Sequence, residues 1–225
     1  MMSALRSRVV GLVGGFGLML VGLQPVAGQE YPGLLEVVEY YHEHATSDLR
    51  HIQEATKRFE ALAVAHPPDD TDEHSWLPSY WTAFAYTQLS LFSDDDRAAP
   101  FVDLARVYFE MATRVKPEGD PGVDADFYAL EGLILSFVSR TMPDDPDSGR
   151  ERAVWNQARA ADAQNPMMLM NGGLALIANP QTREQAYELL DLAIEFYEPR
   201  LGTVRPNWGR EFIDVWTGSY PRGEW

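Results

Sequence analysis

The chain contains no cysteine, and this absence excludes disulfide bonds, thiolate metal ligands and a cysteine nucleophile. Lysine is scarce as well, because Lys57 and Lys116 are the only two lysines among 18 basic residues. These basic residues are outnumbered by 34 acidic ones, so that the formal net charge is -16. Nucleic acid and anionic membranes are therefore disfavoured as partners, because their phosphate groups repel an acidic surface.

No motif that carries catalysis or binds a cofactor stands out in the sequence. The zinc-protease helix needs two histidines four residues apart, whereas His42 and His44 are two apart and point in different directions along a helix. An EF-hand loop that began at Asp145 would need glycine at position six and glutamate at position twelve, but Gly149 falls at position five and Asn156 at twelve. We therefore expect a protein that is not an enzyme, with no metal site and no cofactor.

The first 28 residues have the layout of a secretory signal peptide. Arg6 and Arg8 precede an uncharged apolar run at residues 9–23, and small residues follow up to Gly28. This run of 15 residues is shorter than the roughly 20 that a membrane-spanning helix needs, which disfavours an uncleaved anchor. We predict cleavage after Gly28 and a periplasmic or secreted protein without stable membrane insertion. Because no cysteine follows the run, the protein is not a lipoprotein.

Apolar residues recur at helical spacing from residue 31 onward, and no stretch alternates with the two-residue period of a strand. Ser148 with Glu151, and Thr182 with Gln185, have the spacing of capping boxes, which satisfy the free amides in the first turn of a helix. The acidic segments between helices are too short to be linkers, so residues 29–225 are predicted to form a single domain. The pattern predicts an all-α fold of about eight to nine helices, near residues 31–45, 48–65, 76–92, 98–115, 124–140, 149–163, 167–177, 183–198 and 208–216.

A degenerate repeat becomes visible when the helices are aligned on the prolines that end them. Residues 12, 8 and 5 positions before the proline are small, aromatic and small or aliphatic, as in the second helix of a tetratricopeptide repeat. They are Ala55, Phe59 and Leu62 before Pro67, and Ala105, Phe109 and Ala112 before Pro117. The equivalent positions Phe59 and Phe109 are 50 residues apart. In the two later units the same position is occupied by Ala158 and Leu190, which are 32 residues apart, whereas about 34 is usual.

The chain resembles a family of exported bacterial tetratricopeptide-like proteins. The resemblance is carried by Trp-Leu-Pro-Ser-Tyr-Trp at residues 76–81, by Asn165-Pro166, and by Pro-Asn-Trp-Gly at residues 206–209. One departure is the sequence Asn-Pro-Gln-Thr at residues 179–182, where such proteins often have a glycine-rich turn. The resemblance implies an α–α superhelix of degenerate helical hairpins and no assigned catalysis.

The resemblance also implies a concave groove, lined by the first helix of each pair, that holds a protein or peptide partner. Tyr80 and Trp81 are the pair expected to be exposed in this groove, because large aromatic side chains with a polar atom are typical of binding hot spots. Asn171, beside Gly172 and Gly173, is a candidate for holding a ligand backbone, and close helix packing is the alternative. Acidic rims are expected to select basic segments. The alternative function is a periplasmic small-ligand-binding protein that serves an envelope or uptake system.

The excess of acidic residues leads to a testable prediction about salt. If the acidic surface is an adaptation to high salt, counterions screen its self-repulsion, and the melting temperature will be higher in molar KCl or NaCl than in low salt. A melting temperature that does not change with salt contradicts this interpretation. The scarcity of lysine would then be explained by a genome rich in G and C, which favours arginine codons.

Overall fold

The computed structural model describes residue 31 and residues 33–44 and 48–222, and every regular element in this part of the chain is helical. The all-α prediction is therefore confirmed for these residues, while the predicted signal peptide lies outside them. The α-helices are α1 (Leu34–His44), α2 (Leu49–Ala65), α3 (Leu77–Leu91), α4 (Asp95–Thr113), α5 (Pro121–Thr141), α6 (Glu151–Ala161), α7 (Pro166–Ile177), α8 (Arg183–Tyr197) and α9 (Arg210–Ser219). A short 3₁₀ helix at Glu198–Arg200 follows α8, and residues 201–209, here called the C-terminal segment, lead into α9.

The start of α5 is set by local signals in the sequence. Pro121 occupies the first helical position, where the missing amide hydrogen costs nothing. The Asp120 carboxylate accepts hydrogen bonds from the amides of Gly122 at 2.8 Å and Val123 at 3.1 Å. The helix therefore begins at Pro121, earlier than the predicted start at residue 124.

Neither of the two predicted capping boxes is formed. Helix α6 begins after Arg150 without a side-chain cap, and the Glu151 carboxylate instead accepts a hydrogen bond from Ser139 Oγ at 3.0 Å. At the start of α8, Thr182 Oγ1 donates to the Leu176 carbonyl oxygen at 2.9 Å and does not cap its own helix. In both places a group on the preceding helix competes for the side chain, which the spacing of residues along the chain cannot show.

Each helix packs against the next one along the chain, so that the fold is built from helical hairpins. In addition, α3 packs on α5, α5 on α7 and α7 on α9, which makes these odd-numbered helices neighbours of one another. Helix α3 is buried along its whole length except at Leu91. Polar residues of α3 are buried together with the apolar ones, and the hydroxyl groups of Thr82, Thr87 and Ser90 donate to carbonyl oxygens one turn earlier in the same helix.

The C-terminal segment supplies part of the cover of α3. The ring of Trp208 stacks on Phe84, with the ring centroids 5.0 Å apart. Trp81 Nε1 donates a hydrogen bond to the Val204 carbonyl oxygen at 2.9 Å. Helix α3 is therefore packed against the C-terminal segment as well as against its neighbours α2, α4 and α5.

Close packing of α7 on α8 explains one of the two adjacent glycines in α7. A Cβ atom on Gly173 would lie 2.6 Å from Leu190 Cγ and 3.0 Å from the Ala186 carbonyl oxygen, so that the helices meet there without room for a side chain. A Cβ atom on Gly172 would have Leu189 Cδ1 as its nearest neighbour at 3.4 Å, which is an ordinary contact. Gly173 is therefore required by packing, and Gly172 is not.

These distances predict opposite effects for two neighbouring substitutions. Gly173→Ala will lower the free energy of unfolding by up to about 2 kcal/mol, because overpacking of about 1–3 kcal/mol outweighs a gain in helix propensity of about 1 kcal/mol. Gly172→Ala is the matched control, and it will leave the free energy unchanged or raise it by up to about 1 kcal/mol. Urea unfolding followed by circular dichroism measures both. Equal effects of the two substitutions contradict the packing argument.

Candidate functional site

Tyr80 and Trp81 do not form the exposed pair that the sequence predicts, because both side chains are completely buried. Tyr80 Oη donates to the Asp126 carbonyl oxygen at 2.9 Å and accepts a hydrogen bond from Trp208 Nε1, also at 2.9 Å. Trp81 Nε1 donates to the Val204 carbonyl oxygen. The expectation of exposure is wrong because the C-terminal segment, more than a hundred residues further along the chain, covers both side chains.

The Pro-Asn-Trp-Gly motif at residues 206–209 packs the C-terminal segment against α7 and α8. Gly209 has a φ of 95°, and a Cβ atom there would lie 2.6 Å from Met170 Cε on α7. Glycine is therefore favoured by the left-handed turn into α9, whereas the contact with α7 is made by the flexible end of the Met170 side chain. Tyr197 Oη donates to the Trp208 carbonyl oxygen at 2.7 Å, which ties the motif to α8. In the sequence this motif marks a family resemblance, and its packing role is visible only in the fold.

Asn171 is half-buried, and its amide group is engaged within its own helix. Asn171 Nδ2 donates to the Met167 carbonyl oxygen, one turn earlier in α7, at 2.9 Å. Together with the packing of Gly173, this hydrogen bond favours the alternative of a satisfied asparagine at a close helix contact. Tyr80, Trp81 and Asn171 thus each direct a polar atom to another part of this chain, and a direct contact between them and a partner stays a prediction.

Asp126 is a charged residue with no exposed surface. Its Oδ1 atom accepts hydrogen bonds from Arg200 Nη1 at 2.7 Å and from Asn165 Nδ2 at 2.6 Å, and Arg205 Nε lies 3.8 Å from Oδ2. Burial raises the pKa of Asp126, and the two arginines and the hydrogen bonds lower it without reversing the rise. With 34 acidic residues in the chain, nothing in the sequence distinguishes this one as the acid in the core.

The partners of Asp126 tie it to the surrounding backbone. Asn165 caps α7, because its Oδ1 accepts hydrogen bonds from the amides of Met167 at 3.1 Å and Met168 at 3.2 Å. Arg200 Nη1 also donates to the Pro206 carbonyl oxygen at 2.7 Å. The carboxylate of α5 therefore holds the start of α7, the 3₁₀ helix and the C-terminal segment in fixed positions. Because Asp126, Asn165 and Arg200 are bonded to one another and to the backbone, this cluster is suited to stabilise the fold.

A second pair, partly buried, joins α1 to α9. His42 Nδ1 lies 3.2 Å from Glu211 Oε2, and His42 Nε2 lies 2.7 Å from Asn207 Oδ1. Asn207 Nδ2 donates to the Arg200 carbonyl oxygen, which orients Oδ1 toward the histidine. Tyr41 Oη donates to Glu211 Oε1 at 2.9 Å. Both ring nitrogens of His42 face acceptors, and this geometry favours the doubly protonated imidazolium.

The pKa values of His42 and Glu211 move in opposite directions. Burial lowers the pKa of His42, but the hydrogen bond and the charge of Glu211, together with Asn207, outweigh burial and raise the pKa above 6.5. Burial raises the pKa of Glu211, but the hydrogen bond and the charge of His42 outweigh it and lower the pKa below 4.5. The two groups are therefore both charged in the pH range between these pKa values.

The acidic loop before α6 is partly neutralised by arginine. Arg106 Nη1 donates to Asp145 Oδ2 at 2.8 Å, and Arg106 Nη2 donates to Asp147 Oδ2 at 2.9 Å. His51, seven residues after His44, is bonded through Nδ1 to Tyr40 Oη at 2.8 Å. Across residues 31, 33–44 and 48–222, no three His, Cys, Asp or Glu side chains are grouped so that they could hold a metal ion.

An apolar groove lies open between the end of α3 and one face of α9. Its volume is about 510 Å³, and its apolar lining consists of Leu91, Phe92, Phe212, Val215, Trp216 and Tyr220. We call it the α3–α9 groove. Four of these side chains are well exposed: Leu91 by 43%, Phe92 by 45%, Val215 by 50% and Trp216 by 39%. Exposed apolar side chains that lie together in this way are typical of protein–protein contact sites.

A signal for this groove is present in the sequence, although the aromatic cluster at residues 76–86 is the more conspicuous one. In the predicted helix at residues 208–216, Phe212, Val215 and Trp216 follow the i, i+3, i+4 spacing of one helix face. Ile213 lies on a different face and is buried. A short helix with two apolar faces can bury one of them in its own chain and present the other to a partner.

None of the helices in the described part of the chain is long and apolar enough to span a bilayer.

Comparisons of the chain with protein-family models, with curated proteins and with solved structures found no match. The function is therefore inferred from the geometry of the chain and from its sequence.

The His42–Glu211 pair leads to a prediction about pH. Because the pKa of His42 is raised above 6.5 in the folded protein, its stabilising effect is complete below that pH and is lost as the pH rises through the folded pKa. The free energy of unfolding will therefore fall as the pH rises from about 6 to above 6.5 and through the raised pKa, as measured by urea unfolding.

The substitution His42→Gln removes the titrating group and provides the control for this measurement. The variant will be less stable than the wild type near pH 6, and its stability will change less over the same pH range. A pH dependence that is the same in both proteins shows that other groups are responsible for it.

Proposed function

We propose that this chain is an exported scaffold of tetratricopeptide-like hairpins that binds a protein or peptide partner in the α3–α9 groove. The observation that carries the proposal is the exposure of Leu91, Phe92, Val215 and Trp216 in one groove. Apolar side chains of this size are exposed together at a cost in free energy, which a partner removes when it covers them. The proposal of export depends on the signal-peptide pattern at residues 1–28.

The packing of the helices supports the tetratricopeptide-like part of the proposal. Sequential hairpins, with α3 on α5 and α5 on α7, are the order of contacts that a superhelix of helix pairs requires. Most positions of the repeat pattern are also in the core: Ala55, Phe59, Ala105 and Ala112 have no exposed surface, and Leu62 and Phe109 are half-buried against it. A small residue at such a position lets the paired helix approach closely, which is the physical basis of the pattern.

The position of the C-terminal segment decides where a partner can bind. The polar ends of Tyr80 and Trp81 are bonded to this chain, so that the face of α3 they occupy is already covered. The α3–α9 groove lies further along α3, beyond Phe84, where the cover by Trp208 ends. The proposed partner therefore binds beside α9 and not in place of the C-terminal segment.

A small-ligand function is the second candidate. An open cleft of about 660 Å³ at residues 65–72 is lined mainly by polar and acidic residues and prolines, so it lacks the apolar walls of a typical ligand pocket. One other cavity has such walls. This cavity has a volume of about 240 Å³ and lies at the start of α3, where Trp76, Leu77, Val123 and Val204 form apolar walls next to Arg205. Pockets that enclose small molecules usually have volumes of about 300–1,000 Å³, so this cavity is smaller than most. Protein binding is therefore the function that the geometry supports better.

Site-specific photo-crosslinking in the native host tests the proposed function. A benzophenone amino acid at position 215 will form a crosslinked product of discrete mass with another protein, because Val215 is exposed by 50% within the groove. The matched control is position 107 on α4, a second valine in a helix, exposed by 53% and outside the groove lining. The same crosslink at both positions, or none at position 215, contradicts the proposal. A product with twice the mass of the chain indicates self-association and contradicts a separate partner.

A further inference from the structure

Helix α9 presents a second apolar face that its own chain does not cover. Phe212, Val215, Trp216 and Ser219 follow one another at i, i+3, i+4 and i+7 and all line the α3–α9 groove. They extend about 10 Å along the helix axis, at a rise of about 1.5 Å per residue, which matches two turns of a partner helix. Ile213, on a different face, is 1% exposed and holds α9 to the rest of the molecule. The exposed stripe is therefore not needed to fasten α9 in place.

The lining of the groove favours a partner segment that is itself helical. An extended peptide leaves its backbone amides and carbonyls in need of hydrogen bonds, which a sheet edge or polar side chains of the groove would have to supply. Six of the seven side chains that line this groove are apolar or aromatic, and the described residues contain no strand that could offer an edge. A helix satisfies its own backbone, and its side chains can pack between the ridges of α9.

On the α9 side of the groove the acids are more exposed than the arginines. Arg210 Nη1 pairs with Asp214 Oδ2 at 3.1 Å, within the same helix, and the Asp214 side chain is 74% exposed. Arg222, just after the groove residue Tyr220, pairs with Glu184 and with Asp191, each at 3.1 Å. The guanidinium of Arg183 lies 5.6 Å from the centre of the Tyr220 ring, but Arg183 is only 8% exposed. Three arginines and three acids therefore balance here, and the acids carry the more accessible charge.

An exposed acid also lies at the α3 side of the groove, where Asp94 follows Phe92 and Ser93. The nearby Arg140 is engaged with the backbone, because its Nη2 donates to the Ser90 carbonyl oxygen at 3.1 Å. Asp94 is exposed, and its side chain makes no capping hydrogen bond to α4. Both ends of the groove thus favour positive charge in whatever covers it.

We infer that the α3–α9 groove binds an amphipathic helix of a partner protein whose apolar stripe is flanked by lysine or arginine. This inference depends on the proposed function and specifies the chemistry of the partner. The apolar stripe covers Phe92, Val215 and Trp216, and the basic flanks lie near Asp94 and Asp214. The acidic residues around the groove also disfavour an anionic membrane as the partner, because like charges repel each other.

Binding of designed peptides to the purified protein tests the inference. The probe is a fluorescein-labelled helical peptide of about 14 residues, with leucines at i, i+3, i+4 and i+7 and with lysine and arginine on its flanks. Fluorescence anisotropy will give an affinity at least about tenfold higher than that of the same peptide with glutamate on its flanks. The difference between the two peptides will decrease in about 1 M NaCl, because salt screens the flanking charges.

A scrambled peptide of the same basic composition separates specific binding from general attraction to an acidic protein. If it binds as tightly as the amphipathic one, the inference is overturned. Equal binding of the basic and acidic peptides overturns it as well. Binding of the protein to vesicles of neutral phosphatidylcholine, lost on Val215→Asp, overturns it in favour of a membrane surface.

Two substitutions in the groove and one outside it locate the binding. Val215→Asp and Phe92→Ser lie on opposite walls of the groove. Each substitution will lower the affinity for the basic peptide by about tenfold or more, because each removes apolar contact from the groove. Val107→Asp, the matched control, will not change the affinity. Circular dichroism and the melting temperature show whether each variant is folded, and the inference is judged on the variants that are. A loss of affinity that is the same for Val107→Asp and Val215→Asp overturns it.

The peptide experiment and the crosslinking experiment can fail independently of each other, so they test the partner chemistry and the proposed function separately. A crosslink at position 215 together with no binding of the basic peptide retains the proposed function and overturns the partner chemistry. Binding of the basic peptide without a crosslink in the host supports the chemistry of the groove and contradicts the proposed function in that host.

Discussion

The burial of α3 on every side is the constraint on which the rest of this structure depends. Its tyrosine and tryptophan side chains are apolar enough to need burial and polar enough to need hydrogen-bond partners once buried. Tyr80 and Trp81 find those partners at Asp126, Val204 and Trp208. Because these residues lie far apart in the chain, the polar atoms of Tyr80 and Trp81 have their partners only when α5 and the C-terminal segment are both in place.

The buried charges make this arrangement specific. Asp126 joins α5 to the start of α7 and to the 3₁₀ helix, and His42 joins α1 to α9 through Glu211. Removing one member of a buried ion pair typically costs about 3–5 kcal/mol, because the remaining charge is left without a partner. Alternative packings of these apolar helices would separate the charges, and they are disfavoured for that reason.

The same C-terminal region that closes one face of α3 also creates the open surface of the molecule. The C-terminal segment is inserted between helices through Trp208, and it carries α9 to the end of α3. There α9 buries Ile213 and leaves Val215 and Trp216 exposed. The proposed binding site therefore exists because the C-terminal segment places α9 beside the end of α3. Its acidic surroundings reflect the composition of the whole chain.

The sequence by itself determined the all-α class and the approximate positions of the helices, because helical periodicity is a local property that short stretches of chain carry. It also determined the acidic surface and the small residues at helix contacts, such as Ala55 and Ala105. Only the tertiary structure decided which aromatic side chains are covered, which acid lies in the core and which face of α9 stays open. Burial depends on contacts between residues as far apart as Trp81 and Val204, and periodicity along a helix contains no information about what covers it.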